Sequence, residues 1–346
     1  MLAALVLMAG MATDQCPAAI PRCDPTLLVR RTAVAAPVPV KDRPPVIDGR
    51  LDDAAWAAAE PVTRLMQSRP DPGQEATLRT EARLLYDDHA LYVAVRLYDP
   101  TPETILAPFL RRDDETTSDW TFVEIDSRHD RRTGFDFGLN PRGVQVDGTW
   151  IDDINFDSTW DAVWEGAARI DAEGWTAEFR IPFSQLAYTS PPGEGDGDTV
   201  WGLNIYRNSQ HRGEVSNWSP RASGLAGVVS RFNDLRLRVP THQRRIELTP
   251  YVAPRWSDTS SGNALNAGAD LRVGLGSNFN LTATVLPDFG QVEQDPSQVN
   301  LTALELFQTE RRPFFIEGLD AFRFDTSLLF NTRGDSFAEE LSLIHI

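Results

Sequence analysis

Cysteine is nearly absent from this chain: Cys16 and Cys23 are the only two in 346 residues. They can close one small loop in an oxidising compartment, so neither a disulfide framework nor a cysteine metal cage organises the fold. Histidine is scarce too, at five scattered positions, which leaves little for an imidazole-based metal site or nucleophile relay. No His-Glu-x-x-His, no Gly-x-Ser-x-Gly and no phosphate-cradling glycine loop occurs. No apolar run approaches the roughly 20 residues of a membrane helix, so any membrane association must come through a barrel, a lost segment or a lipid. Positive charge is in deficit, with 33 bases against 50 acids and a net charge of −17. Such a field repels phosphate and argues against nucleic acid as a partner.

What remains is the composition of a folded, mainly β protein. Hydrophobic residues make up 41%, and 23 glycines with 24 prolines break the apolar stretches into short runs. The length suits about two domains. Leu2 to Ala12 is an apolar run with Gly10 and Ala12 at its end, the pattern of a secretory signal lacking its basic start. Export is therefore expected, with residues 1–12 a truncated signal and 13–44 a leader or linker rich in Pro, Ala and Arg. The residues before Cys16, Thr-Asp-Gln, do not form a lipoprotein acylation site.

From residue 45 the turn and strand signals become regular. Asp48-Gly49 marks a turn, and Asp52 is placed to cap a short helical turn ending near Ala59, with Trp56 packing it onto a sheet. Ala82–Tyr86 and Leu91–Tyr98 form a hairpin in which Leu91, Val93, Val95 and Leu97 alternate with Tyr92, Ala94 and Arg96. Trp120–Asp126 pairs with Gly134–Leu139, and Ala167–Ile170 with Trp175–Ile181, which Pro182 closes. Strands at Val200–Tyr206, Val215–Trp218 and Leu235–Val239 complete an expected antiparallel β-sandwich over 45–240.

The most distinctive stretch is Asp147 to Glu165, with Trp150, Trp160 and Trp164 among Asp147, Asp152, Asp153, Asp157 and Asp161. No Lys or Arg interrupts it between Arg142 and Arg169. An indole covers the apolar C–H face of a pyranose, and carboxylates accept its hydroxyl protons. Trp150, Trp160, Trp164, Trp218, Asp157 and Asp161 are thus the candidate carbohydrate contacts. Asp147, Asp152 and Asp153 are candidate ligands for a hard cation such as calcium. A sheet in which Trp150 and Trp164 are core and the acids cap turns gives the same sequence. The acidic run Gly193–Asp198 lacks the later glycine and glutamate of a calcium loop and reads as a turn.

The motifs at Val46–Trp56, Tyr98-Asp99-Pro100, Gly174–Glu178, Ile181-Pro182-Phe183, Trp201–Asn204 and Phe232–Leu237 resemble those of the family 9 carbohydrate-binding module, in the same order. The resemblance covers residues 45–239 and implies its sandwich fold and a carbohydrate or cell-surface glycan as partner. That family clamps a terminal sugar between two tryptophans, whose counterparts here fall near Thr116 and Ala226, neither of them aromatic. A carboxylate expected within 119–126 is replaced by Phe122. A sugar site would then be rebuilt from the tryptophans that remain.

Beyond Arg244, Ile246, Leu248 and Val252 share a face, and Ala267–Leu275 and Phe279–Val285 alternate apolar with polar. That is the pattern of outer-membrane barrel strands, and equally of a soluble sheet with one wet face. Asp295-Pro296-Ser297-Gln298 has the cap and proline of a helix start. Pro287–Glu293 and Glu310–Gly318 resemble a domain of unknown function that follows family 9-like modules in bacterial envelope proteins and runs into a β-barrel. The resemblance implies that 241–346 is the start of an incomplete barrel anchored in the outer membrane.

The expected fold is mainly β, an antiparallel β-sandwich followed by the first strands of an outer-membrane β-barrel. The expected function is glycan binding by an exported envelope protein. Two alternatives stand beside it. One is a glycoside hydrolase using Asp157 with Asp161 or Glu124 with Asp136, since such enzymes need two carboxyl groups about 5–10 Å apart. The other is a structural module of the barrel without a sugar site.

Overall fold

The computed structural model describes residues 24–39, 41–114, 116–158, 160–188, 199–221, 225–239, 246–255, 264–274 and 280–285. The cysteines, the acidic turn at 193–198 and the helix start at Asp295 lie outside them. Two compact units divide the chain: Met1–Asp157 with Ala162–Thr241, and Ser158–Asp161 with His242–Ile346.

In the first unit the strands are β1 (Thr32–Val34), β2 (Ala36–Pro37), β3 (Met66–Arg69), β4 (Thr80–Tyr86), β5 (Ala90–Tyr98), β6 (Trp120–Asp126) and β7 (Gly134–Leu139). They continue with β8 (Gln145–Ile151), β9 (Asn155–Asp157), β10 (Glu165–Asp171), β11 (Gly174–Pro182), β12 (Thr199–Ser209), β13 (Glu214–Asn217) and β14 (Asn233–Leu237). One sheet has the order β1-β14-β12-β6-β7-β8-β9, with β13 attached to β12 and β3 to β13. The other runs β10-β11-β5-β4-β2. Pairing is antiparallel except where β1 joins β14 and β2 joins β4.

The sheets close on each other across a dry interior. Trp164 stacks on Phe179 of β11, centroids 5.6 Å apart and rings 9° from parallel, and meets Phe137 of β7 edge-on at 5.5 Å. Val123 and Ile125 of β6 and Leu203 and Ile205 of β12 share the inward face and are fully buried. Each such side chain contributes about 1.5–3 kcal/mol by leaving water.

The hairpin β4–β5 forms as the alternation predicts, but β5 is buried on both faces. Val93, Val95 and Leu97 look into the sandwich, while Tyr92 and Ala94 lie beneath Ala55, Trp56 and Ala59. The turn carrying Trp56 is a short 3-10 helix, Ala54–Ala58, preceded by Asp53 and not capped by Asp52. Asp53 instead accepts the backbone N–H of Val46 at 3.0 Å, pinning the entry to the turn. Gly49 (φ +81°) lets this loop approach the sheet, because a Cβ there would come within 3.0 Å of the Ala168 carbonyl carbon.

The expectation that 13–44 is only a leader or linker fails for its second half. Asp24 caps a helical turn at Pro25–Leu28, and β1 and β2 add an edge strand to each sheet. Ala33 and Ala35 are buried there, small enough to let the strand lie close.

The second unit holds β15 (Ile246–Arg255), β16 (Ala264–Gly274) and β17 (Asn280–Val285) in an antiparallel sheet. Ile246, Leu248, Pro250 and Val252 face Val273, Leu271, Ala269 and Ala267, which pair onward with Leu281, Ala283 and Val285. One whole face is therefore apolar.

Candidate functional site

Alternation along the nine-stranded sheet sends every second residue away from the interior. On that face β6 carries Trp120, Phe122 and Glu124 and β12 carries Asn204 and Tyr206 beside them; Trp120 and Phe122 are buried in a cluster with Val146, against which Leu110, Val144 and Tyr206 pack. β7 and β8 present Asp136, Gly138, Val146, Gly148 and Trp150. The two glycines make room for rings: Phe122 occupies the space a side chain at Gly138 would need, and Phe156 of β9 does so at Gly148.

Glu124 is the electrostatic centre of this face. Its Oε1 accepts Arg221 Nη1 at 2.8 Å and its Oε2 accepts the amide of Asn204, which also donates to Asn217 Oδ1 at 2.9 Å. The guanidinium of Arg221 lies 5.0 Å over the ring of Trp150, a cation-π contact that its ion pair with Glu124 orients. Phe156 leans on the same indole at 5.0 Å and 52° and is 37% exposed. Burial, with the charge of Glu124 adding to it, pushes the Tyr206 hydroxyl up to about 12, so it remains a neutral donor. The indole N–H of Trp150 is buried and has no partner among the described residues.

A cavity of about 560 Å³ opens where the segment before β1, the turn after β8 and the loop before β14 meet. Asp153, in the turn after β8, forms part of its wall, and so do Pro220, the neighbour of Arg221, and Ala226. Leu28, Arg30 and Arg231 complete the lining that matters chemically. Asp153 Oδ1 accepts the backbone N–H groups of Val228 (3.0 Å) and Ser230 (2.7 Å), and Oδ2 accepts the Ser230 hydroxyl at 2.8 Å. Burial pushes this carboxyl up, but the bonds from Ser230 and Val228 outweigh it and hold the group below the usual value.

Of the candidate sugar contacts, only Trp150 belongs to this face. Trp164 and Trp218 are 6% and 3% exposed and must be reassigned to the interior. Trp164 is gripped between the sheets, and Trp218 lies under Arg31, whose guanidinium is 5.1 Å from its ring. Neither has a free face for a pyranose. Asp157 pairs with Thr149, on the side of the β8–β9 ribbon opposite Phe156. Trp160 and Asp161 fall in the Ser158–Asp161 segment of the second unit.

The metal triplet also separates. Asp147 points inward, where its Oδ2 accepts Arg112 Nη2 (2.7 Å), Trp164 Nε1 (2.8 Å) and the N–H of Ala162 (3.0 Å). Burial raises its carboxyl to about 6 against the pull of Arg112. Asp152 pairs with Arg132 at 2.5 Å, and Asp153 ties down the 228–230 turn. Among the described residues, neither joins Asp147 in a cluster close enough to share an ion. An odd-numbered residue of β8 faces the core while Trp150 faces out, and the turn after Ile151 redirects the next two acids.

Sequence reasoning missed Arg221, Phe156, Asn204 and the two cavity arginines. Phe156 could have been found from its place opposite Trp150 in a tight ribbon. Arg221 lies in an irregular loop, where no periodicity signals an outward face. Within 119–126, Glu124 lies two residues from Phe122 on the same face of β6.

Among proteins with curated descriptions none shows significant similarity to the chain. Two solved structures of a family 9 carbohydrate-binding module from Caldicellulosiruptor kristjanssonii are similar to it at 19% identity. The complex with cellotriose covers 61% of this chain and 95% of that one with a TM-score of 0.42. The complex with glucose covers 62% and 98% with a TM-score of 0.41. Residues 242–341 match the model of a domain of unknown function, DUF5916. Residues 47–220, half of the chain, match the model described as carbohydrate family 9 binding domain-like. The chain belongs to the carbohydrate family 9 binding domain-like family, joined to a DUF5916 domain.

Proposed function

We propose that this chain binds a glycan on the outer face of the nine-stranded sheet, as part of an exported envelope protein held at the outer membrane by its C-terminal strands. The observation that carries the glycan reading is the aromatic and polar face around Trp150 in a member of a carbohydrate-binding family. Phe156 offers an exposed ring, and Tyr206 and Arg221 donors for hydroxyl oxygens. Glu124 is committed to Arg221 and Asn204, so its role is to hold those donors in place.

The membrane reading is supported by β15–β17. Leu248, Val252, Leu281 and Val285 are 65%, 64%, 49% and 64% exposed on the apolar face. β15 and β16, at 10 and 11 residues, have the length of barrel strands.

A glycan array with the full chain tests the first reading, with Phe156→Ala and Trp150→Ala alongside. Retention of specific glycans, lost in both variants while thermal unfolding stays cooperative, is expected. A folded chain that retains no glycan overturns the reading and leaves the sandwich as a structural module.

A further inference from the structure

We propose that the cavity walled by Arg30, Arg231, Asp153 and Pro220 takes the carboxylate of an acidic sugar, making a hexuronic acid residue the ligand class of this protein. The inference rests on the glycan reading and narrows it. Arg30 and Arg231 supply the cavity with two guanidiniums, each using one donor on a backbone carbonyl. Arg30 Nη2 donates to Ser230 at 3.0 Å, and Arg231 Nε donates to Ala226 at 3.0 Å. Among the described residues neither forms an ion pair. A guanidinium has five N–H donors in a planar fork, so each keeps a free edge suited to bidentate binding of a carboxylate.

The cavity's carboxylate does not compete for them. Both oxygens of Asp153 are occupied by Val228 and Ser230. Two positive charges therefore face one satisfied negative charge, inside a chain whose net charge is −17. A long-range field that repels anions makes a locally cationic cavity a selective feature, since only a ligand able to form short, directed bonds gains from entering. Leu28 and Pro220 give the walls apolar surface for ring C–H groups. A volume of about 560 Å³ also lies within the range of small-ligand sites, about 300–1,000 Å³. The walls suit a charged ring better than a bare ion, which would leave the apolar side unused.

Titration calorimetry of the full chain with glucuronic acid, glucose and inorganic phosphate tests the assignment. Glucuronic acid is expected to bind at least about tenfold more tightly than glucose, with a preference that shrinks as salt is raised. Arg231→Gln and Arg30→Gln should each remove most of that preference while leaving glucose binding in place. Arg231→Lys keeps the charge without the fork and should recover only part of it. Near-ultraviolet circular dichroism confirms that each variant is folded, and Arg132→Gln, whose side chain pairs with Asp152 outside the cavity, is the control that keeps the preference. Equal binding of glucose and glucuronic acid, unchanged in the arginine variants, overturns the acidic-sugar assignment while carbohydrate binding stands. Binding of phosphate without either sugar also overturns it, because the cavity is then a plain anion site. Failure of both sugars here, together with a glycan array that retains nothing, sinks the parent reading as well.

Discussion

The indole N–H of Trp56 donates to Glu178 Oε1 at 3.1 Å, and the other oxygen of that carboxylate accepts the backbone N–H groups of Gly49 (2.9 Å) and Asp48 (3.1 Å). Two motifs more than 100 residues apart in the chain are thereby joined at one fully buried acid. The turn at 48–49 and the Trp56 helix both hang on it, which is why this segment can cover the outer face of β5. Burial is the largest influence on Glu178 and lifts its carboxyl to about 7 despite three N–H donors.

That shift has a definite sign in stability. In the unfolded chain the group ionises near 4.5, while in the folded chain it keeps its proton to about 7. Between those values the unfolded state binds fewer protons, so this residue's contribution to stability falls as pH rises through the window. Asp147, raised to about 6, acts in the same direction. Urea unfolding at a series of pH values should show a shallower decline in Glu178→Gln than in the wild type. The same variant should be less stable by about 1–3 kcal/mol, because its NH₂ must face an N–H donor. An unchanged pH slope would remove Glu178 from the account.

How much of this could be read from the sequence follows from particular elements. β4–β5 and β10–β11 were legible because alternating runs meet at short turns, and β6–β7 because two such runs flank the charged loop 127–133. β1 and β2 were not, since they span three and two residues, one ends in proline, and their parallel partners lie far along the chain. The tryptophan stretch was recognised as unusual, but sequence could not sort its faces. Which indole is core depends on the register of β8 against β7 and on the Asp152–Asp153 turn, where both residues adopt positive φ.

Trp164 and Trp150 should therefore respond differently to truncation. Trp164→Ala opens a void between two sheets and strands Asp147 without its indole donor, a loss of about 3–5 kcal/mol. Trp150→Ala removes a half-buried ring at an edge and should lower stability less, while abolishing glycan retention. Chemical denaturation and the array together check this, and a larger stability loss at Trp150 than at Trp164 would reverse the assignment.

Arg221 and Glu124 form a pair whose members are 24% and 3% exposed. Arg221→Met leaves the buried carboxylate with Asn204 alone and should destabilise by about 3–5 kcal/mol, the usual penalty for orphaning one side of a buried pair. Adding Glu124→Gln should recover much of that loss, since the amide carries no charge to strand. A double-mutant cycle by urea unfolding measures the coupling, and additive effects would mean that the pair does not act as a unit.

The two faces of β15 make opposite demands if these strands meet lipid. Leu248, exposed on the apolar face, pairs with Leu271, while Thr249 pairs with Asp270 on the polar one. Leu248→Lys places a charge where acyl chains would lie, a change that costs about 2–4 kcal/mol near a bilayer midplane and less toward its edges. Thr249→Lys adds the same charge to the side already polar and opposite an acid. In membrane fractionation of cells expressing the full chain, the first variant should leave the outer-membrane fraction and the second should remain in it. Identical behaviour of the two would overturn the assignment of the apolar face to lipid.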